Sequence, residues 1–168
     1  MKIFLTGFMG CGKTTLAKKL SARLEYELVD LDHEIEKQAG TSVGEYFAVH
    51  GESAFRELES QTLKTFPYQG NSIIATGGGT PCYFDNMDWM NVNGLTVYIE
   101  MSPVALAKRL ENGKAKRPLL RDLDEQGIVD FITQKLEERN PFYKKASLVV
   151  NGISLTAESL ESLLFAVG

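Results

Sequence analysis

The run Gly7-Phe8-Met9-Gly10-Cys11-Gly12-Lys13-Thr14 limits what this chain can fold into more than any other feature. It fits the pattern G-x-x-x-x-G-K-[ST] and follows a short apolar run, Ile3-Phe4-Leu5. After it, Leu16, Leu20 and Leu24 recur along one helical face, while Lys18, Lys19 and Arg23 take the other. Strand, glycine-rich turn and amphipathic helix in this order make a phosphate cradle. Glycines let the loop curl and aim its N–H groups at phosphate oxygens. The helix N-terminus adds partial positive charge. Lys13 suits the β- and γ-phosphates, and the Thr14 hydroxyl suits Mg²⁺. Gly10, Cys11, Gly12, Lys13, Thr14 and Thr15 are therefore the expected ATP-binding residues. The expected chemistry is transfer of the γ-phosphoryl group to a small molecule.

The rest of the chain alternates short apolar runs with helical patterns. Leu28-Val29, Ile73-Ile74-Ala75, residues 95 to 99 and Leu148-Val149-Val150 read as strands. Residues 32 to 66 read as three helical pieces punctuated by Gly40 and Gly51, with Ser42 as an N-cap and Pro67 as the stop. Ser102-Pro103 opens another helix, and two more are expected over roughly 126–139 and 156–166. This alternation predicts a three-layer α/β/α architecture with a five-stranded parallel sheet. A length of 168 residues with 43% hydrophobic content fits one domain over 1–168. Within it, about 32–66 reads as an acceptor-binding region, and the polar stretch at about 111–125 as a short lid.

A formal net charge of −4 supplies no basic field for nucleic acid. No run approaches the roughly 20 apolar residues of a membrane span, and the N-terminal run is too short for a signal segment. The expectation is a cytoplasmic monomer, since no heptad or long exposed apolar stripe appears. Cys11 and Cys82 have no CxxC spacing, and His33 and His50 lie far apart. A metal acting here is then a hard ion held by oxygen ligands and phosphate.

On the acceptor side, Asp30 and Asp32 share one face if the strand at Leu28-Val29 extends through them. One could approach magnesium and the other an acceptor hydroxyl. The alternative is a helix N-cap followed by a first-turn acid. Arg56 stands three residues before Glu59, which could fix its guanidinium, or it is a solvated helix charge. Arg139 stands at an expected helix end, where the dipole alone would suit a cation. Together the two arginines suit a carboxylate. Gly77-Gly78-Gly79 lets backbone approach a ligand closely. Cys11 reads either as an exposed thiolate at the helix start or as a core side chain.

Taken in order, the cradle, Asp30-Leu31-Asp32, Phe55-Arg56-x-x-Glu59, Gly77-Gly78-Gly79, Arg117-Pro118-Leu119 and Arg139-Asn140-Pro141-x-Tyr143 resemble the shikimate kinases over the whole chain. The resemblance implies ATP-dependent phosphorylation of the 3-hydroxyl of shikimate, a step towards chorismate. It implies shikimate contacts at Asp32, Arg56, Gly77, Gly78, Gly79 and Arg139. It also implies a lid arginine at Arg117, a magnesium neighbour at Asp30, and an adenine neighbourhood at Arg109 and the loop after Asn151. Lys13, Asp32 and Arg117 are the implied catalytic residues. Gluconate kinase and adenylate kinase are rival enzyme readings, and an inactive ligand-binding relative is the rival outside catalysis.

Overall fold

Ile3, Phe4 and Leu5 expose no surface at all, so strand β1 (Lys2–Thr6) is covered on both faces, as a central parallel strand must be. The computed structural model describes residues 1–111 and 120–166. Strands β2 (Glu27–Asp30), β3 (Ser72–Ala75), β4 (Leu95–Glu100) and β5 (Leu148–Asn151) join β1 in one parallel sheet. The order is β2-β3-β1-β4-β5, and Phe4 lies between Ile74 and Thr96.

Alternation along β1 divides the core. Ile3 and Leu5 belong to a cluster with Leu16, Ala17 and Leu20 of α1 (Lys13–Leu24) and Leu160 of α7 (Ala157–Phe165). Phe4 belongs to another, with α2 (Leu31–Ala39), α3 (Val43–Thr65) and α4 (Asn86–Asn93), through Leu31, Ile35, Phe55, Leu63, Met87 and Met90. Helices α5 (Pro103–Glu111) and α6 (Glu125–Tyr143) pack on each other beyond β4. The three expected helical pieces are present. Ser42 caps α3 by accepting from the Glu45 N–H at 3.1 Å. Gly51, at φ 85° and ψ 171°, breaks α3 into two segments.

The structure decides one open reading and departs from the sequence-based expectations in two places. Asp32 does not lie on an extended strand beside Asp30: β2 ends at Asp30, whose carboxylate accepts from the His33 N–H at 3.3 Å and starts α2 there. Helix α6 does not stop at Arg139 but runs through Pro141 to Tyr143. Burial of Tyr143 against Tyr98, ring centroids 4.8 Å apart, holds that last turn in place. Helix α4 carries no clear period in the sequence, and its anchor is the burial of Asn86, Met87 and Met90. Arg117 and most of the expected lid fall at residues 112–119, outside the described residues. Among the described residues, no helix is long and apolar enough to cross a membrane.

Candidate active site

The loop from β1 to α1 turns on two left-handed glycines, Gly10 (φ 84°) and Gly12 (φ 97°), the latter serving as the N-cap of α1. An L side chain is strained in that region, so the loop's path depends on them. The first turn of α1 carries no acidic residue, which leaves its positive end uncompensated. Lys13 is buried, and its Nζ donates to the Gly7 carbonyl at 2.5 Å and the Phe8 carbonyl at 3.2 Å. Burial pushes its pKa down, with Cys11 and Asp32 opposing the shift. Thr14 and Thr15 are exposed beside it. A cavity of 380 Å³ opens over the loop, walled by Gly10, Lys13, Thr14, Asp32, Thr76 and Gly77.

Cys11 settles as a core side chain. It is 4% exposed, and its Sγ lies 3.8 Å from Lys13 Nζ. Its carbonyl, not its sulfur, faces Arg109, accepting from Nη1 at 3.0 Å. That contact borders a second cavity of 300 Å³, lined by Gly12, Thr15, Lys19, Arg109, Gly152 and Thr156. It lies on the β4–β5 side of the loop, where Arg109 and the turn after Asn151 meet.

The opposite side of the loop gathers the remaining polar groups around the glycine triplet. Asp32 faces the first cavity with its carboxylate against Gly77, 3.2 Å from where a Cβ on that glycine would lie. It keeps access to solvent through the cavity but is walled by protein elsewhere. That partial desolvation, with the charges of Glu59 and Asp30, raises its carboxyl to about 6. Arg56 donates from Nη1 to Glu59 at 3.0 Å, as the i,i+3 spacing predicted. Glu59 is 1% exposed and is held in turn by the Thr80 hydroxyl at 2.8 Å, which also accepts from the Gly77 N–H at 2.9 Å. A buried charge needs this degree of pairing.

Arg139 reaches the triplet from α6. A Cβ on Gly78 would lie 3.2 Å from its Nη1, and its guanidinium sits 5.3 Å from the Phe8 ring centroid. The Tyr143 hydroxyl donates to the Gly78 carbonyl at 2.5 Å and so fixes the middle of the triplet. Asp32, Arg56 and Arg139, far apart in sequence, therefore meet at Gly77–Gly79 beside Lys13. Asp30 is half-buried and acts locally as the cap of α2. Sequence reasoning missed Glu52 and Tyr83, which flank Arg56, and Thr80, which holds its partner Glu59. Only Glu52 had a signal, four residues before Arg56 on one helix.

A glycine-rich loop on the central strand of a parallel sheet, with a buried lysine in the wall of the cavity above it, defines a P-loop phosphotransferase. The family model for shikimate kinase matches residues 9–165. A shikimate kinase of Bacteroides thetaiotaomicron is 44% identical over 155 residues, covering 92% of this chain and 89% of that one. One from Parabacteroides distasonis is 44% identical over 94% of this chain and 91% of its own. The crystal structure of shikimate kinase from B. thetaiotaomicron superposes with a TM-score of 0.92 at 41% identity over 98% of both chains. The Acinetobacter baumannii enzyme in complex with shikimate gives 0.86 at 29% identity, over 98% of this chain and 93% of that one. The chain belongs to the shikimate kinase family. Its activity is ATP-dependent phosphorylation of shikimate to shikimate 3-phosphate.

Proposed function

We propose that the first cavity is where phosphoryl transfer occurs, with the residues divided between the two substrates as follows. Lys13 and the loop N–H groups hold the β- and γ-phosphates of ATP, while Arg109 and the turn after Asn151 border the adenosine portion. Arg117, outside the described residues, is assigned to ATP by the family resemblance alone. Arg56 and Arg139 hold the carboxylate of shikimate, and Gly78 allows the ring to approach the backbone. Asp32 accepts a hydrogen bond from the 3-hydroxyl, orients it towards the γ-phosphorus and draws off its proton as the new bond forms. A carboxyl near 6 is ionised at neutral pH yet basic enough to take that proton.

Among the described residues, no group of three or more His, Cys, Asp or Glu could hold a metal ion. The oxygen donors at hand are the exposed Thr14 hydroxyl in the cavity wall and Asp30, whose charge acts on Asp32 in the same wall. They fit an ion carried mainly by nucleotide phosphates, and that hard ion is Mg²⁺. Thr14 would ligate it directly and Asp30 through water. Bound there, it neutralises charge on the phosphates.

The observation that carries this reading is the meeting of Asp32, Arg56 and Arg139 at one glycine triplet beside Lys13. One chain carries every group this reading uses, so it needs no partner copy, and the proposed setting is a monomer in the cytoplasm. The test is ADP release by purified protein with Mg-ATP and shikimate, gluconate, AMP or no acceptor. Fast release with shikimate alone is expected. Arg56→Ala and Arg139→Ala then each raise KM for shikimate, by about tenfold to a hundredfold for a lost charge-assisted bond. Equal turnover with gluconate, or unchanged KM in both variants, overturns the division of roles.

A further inference from the structure

The guanidinium of Arg56 is enclosed on more sides than a substrate-binding arginine needs. Its Cζ lies 4.1 Å from the centroid of the Tyr83 ring, close enough for direct stacking, and 5.2 Å from that of Phe55. Glu59 takes the Nη1 end. Gly79 lies flush against both Nη atoms, which a Cβ there would approach to 2.6 and 2.7 Å. On the remaining side, Glu52 Oε1 stands 3.8 Å from Nε and accepts a hydrogen bond from the Tyr83 hydroxyl at 2.7 Å. The buried Nε itself makes no hydrogen bond among the described residues.

From this enclosure we infer that Tyr83 is a positioning residue, one that sets the plane and height of the Arg56 fork for the acceptor's carboxylate. The inference rests on Arg56 binding that carboxylate. Salt bridges alone fix a guanidinium poorly, because a long side chain can swing while keeping its charge near a partner. An aromatic face removes that freedom, since stacking is strong only when the two planes stay close. The Glu52 bond locks the ring in turn, so the shelf is itself held. Tyr83 comes from the segment just after the glycine triplet, and Glu52 and Arg56 from α3. The shelf therefore ties the acceptor's carboxylate site to the loop that carries Gly78.

A bidentate ion pair depends on the orientation of the fork, whereas the phosphates at Lys13 do not touch it. The shelf should therefore act on acceptor affinity and not on nucleotide affinity. In steady-state assays, Tyr83→Leu should raise KM for shikimate about three- to tenfold, the range of a partly covered cation–π contact, with kcat and KM for ATP changed less than about twofold. Tyr83→Phe keeps the ring and should recover most of the lost affinity. The decisive arm is a double-mutant cycle: in an Arg56→Ala background, Tyr83→Leu should add nothing further to KM. A full additional loss in that background, or unchanged KM in Tyr83→Leu while Arg56→Ala raises it, overturns the inference. If Arg56→Ala leaves KM unchanged, the fault lies instead with the assignment of Arg56 to the carboxylate. Melting temperatures of all variants guard the reading: a rise in KM that tracks lost stability in every background also overturns it.

Discussion

Gly79→Ala tests the acceptor site with a single methyl group. Gly79 has φ −94° and ψ −7°, an ordinary right-handed conformation, so alanine costs its backbone nothing. The added Cβ would lie 2.6 Å from Arg56 Nη1, 2.7 Å from Nη2 and 2.9 Å from Cζ. Restoring ordinary contact requires the guanidinium to retreat by roughly 0.8 Å. A free arginine would do so at little cost, but this one is pinned by Glu59 at 3.0 Å and stacked on Tyr83. Retreat by that distance breaks one charge-assisted hydrogen bond, either to Glu59 or to the acceptor. Such a bond is worth about 1.5–3 kcal/mol, or roughly tenfold to a hundredfold in affinity. The assay is coupled ADP release, with shikimate varied at saturating ATP and ATP varied at saturating shikimate. KM for shikimate should rise by that factor while KM for ATP stays within about twofold. Unchanged KM for shikimate, or equal loss for both substrates, would refute the claim that Gly79 is required by the closeness of Arg56.

Two further substitutions separate the aspartates. Asp32→Asn should lower kcat/KM for shikimate by about 10²–10⁴ and leave ATP affinity unchanged. In the parent enzyme that parameter should fall as pH drops through about 6, because the raised carboxyl becomes protonated and can no longer accept the hydroxyl proton. An acid limb that survives in Asp32→Asn would show that another group titrates. Asp30→Asn keeps the cap of α2, since asparagine caps as well as aspartate, so its melting temperature should barely move. It should raise the Mg²⁺ concentration needed for half-maximal activity. It should also move the acid limb to lower pH, because the Asp30 charge is one cause of the raised Asp32 value. An unchanged magnesium requirement counts against Asp30 as a neighbour of the ion.

Much of this was legible because local chemistry and global fold agree. Ile3-Phe4-Leu5, Ile73-Ile74-Ala75 and the glycine-rich loop each dictate their own conformation, and the sheet follows from their alternation with helices. Gly40 and Gly51 also act locally, and both adopt positive φ where the helical pieces were expected to end. The two-residue spacing of Asp30 and Asp32 left an extended strand and an N-capped helix both open, and the local Asp30 cap decides for the helix. What escaped was set at a distance. Pro141 signalled a helix end, and the buried Tyr143 overrode it. Helix α4 has asparagines and methionines where a clear apolar stripe would have announced it. Around Arg56, the i+3 partner Glu59 could be read, whereas Thr80 and Tyr83 arrive from another part of the chain with no periodic relation to it.

The strand order has a consequence for how such an enzyme can change its acceptor. Because β3 and β2 lie to one side of β1 and β4 and β5 to the other, the groups around the glycine triplet come almost entirely from residues 30 to 83. The groups around the second cavity come from the loop and the start of α1, from Arg109 and from residues beyond 151. On the proposed assignment, acceptor recognition is nearly one continuous stretch of polypeptide, which leaves the sheet after β2 and rejoins it at β3 just before the glycine triplet. Exchange of that stretch between relatives carries the pocket except Arg139 and Tyr143, which reach Gly78 from α6. A lineage could inherit a new acceptor as one cassette, provided the last turns of one helix elsewhere changed in step.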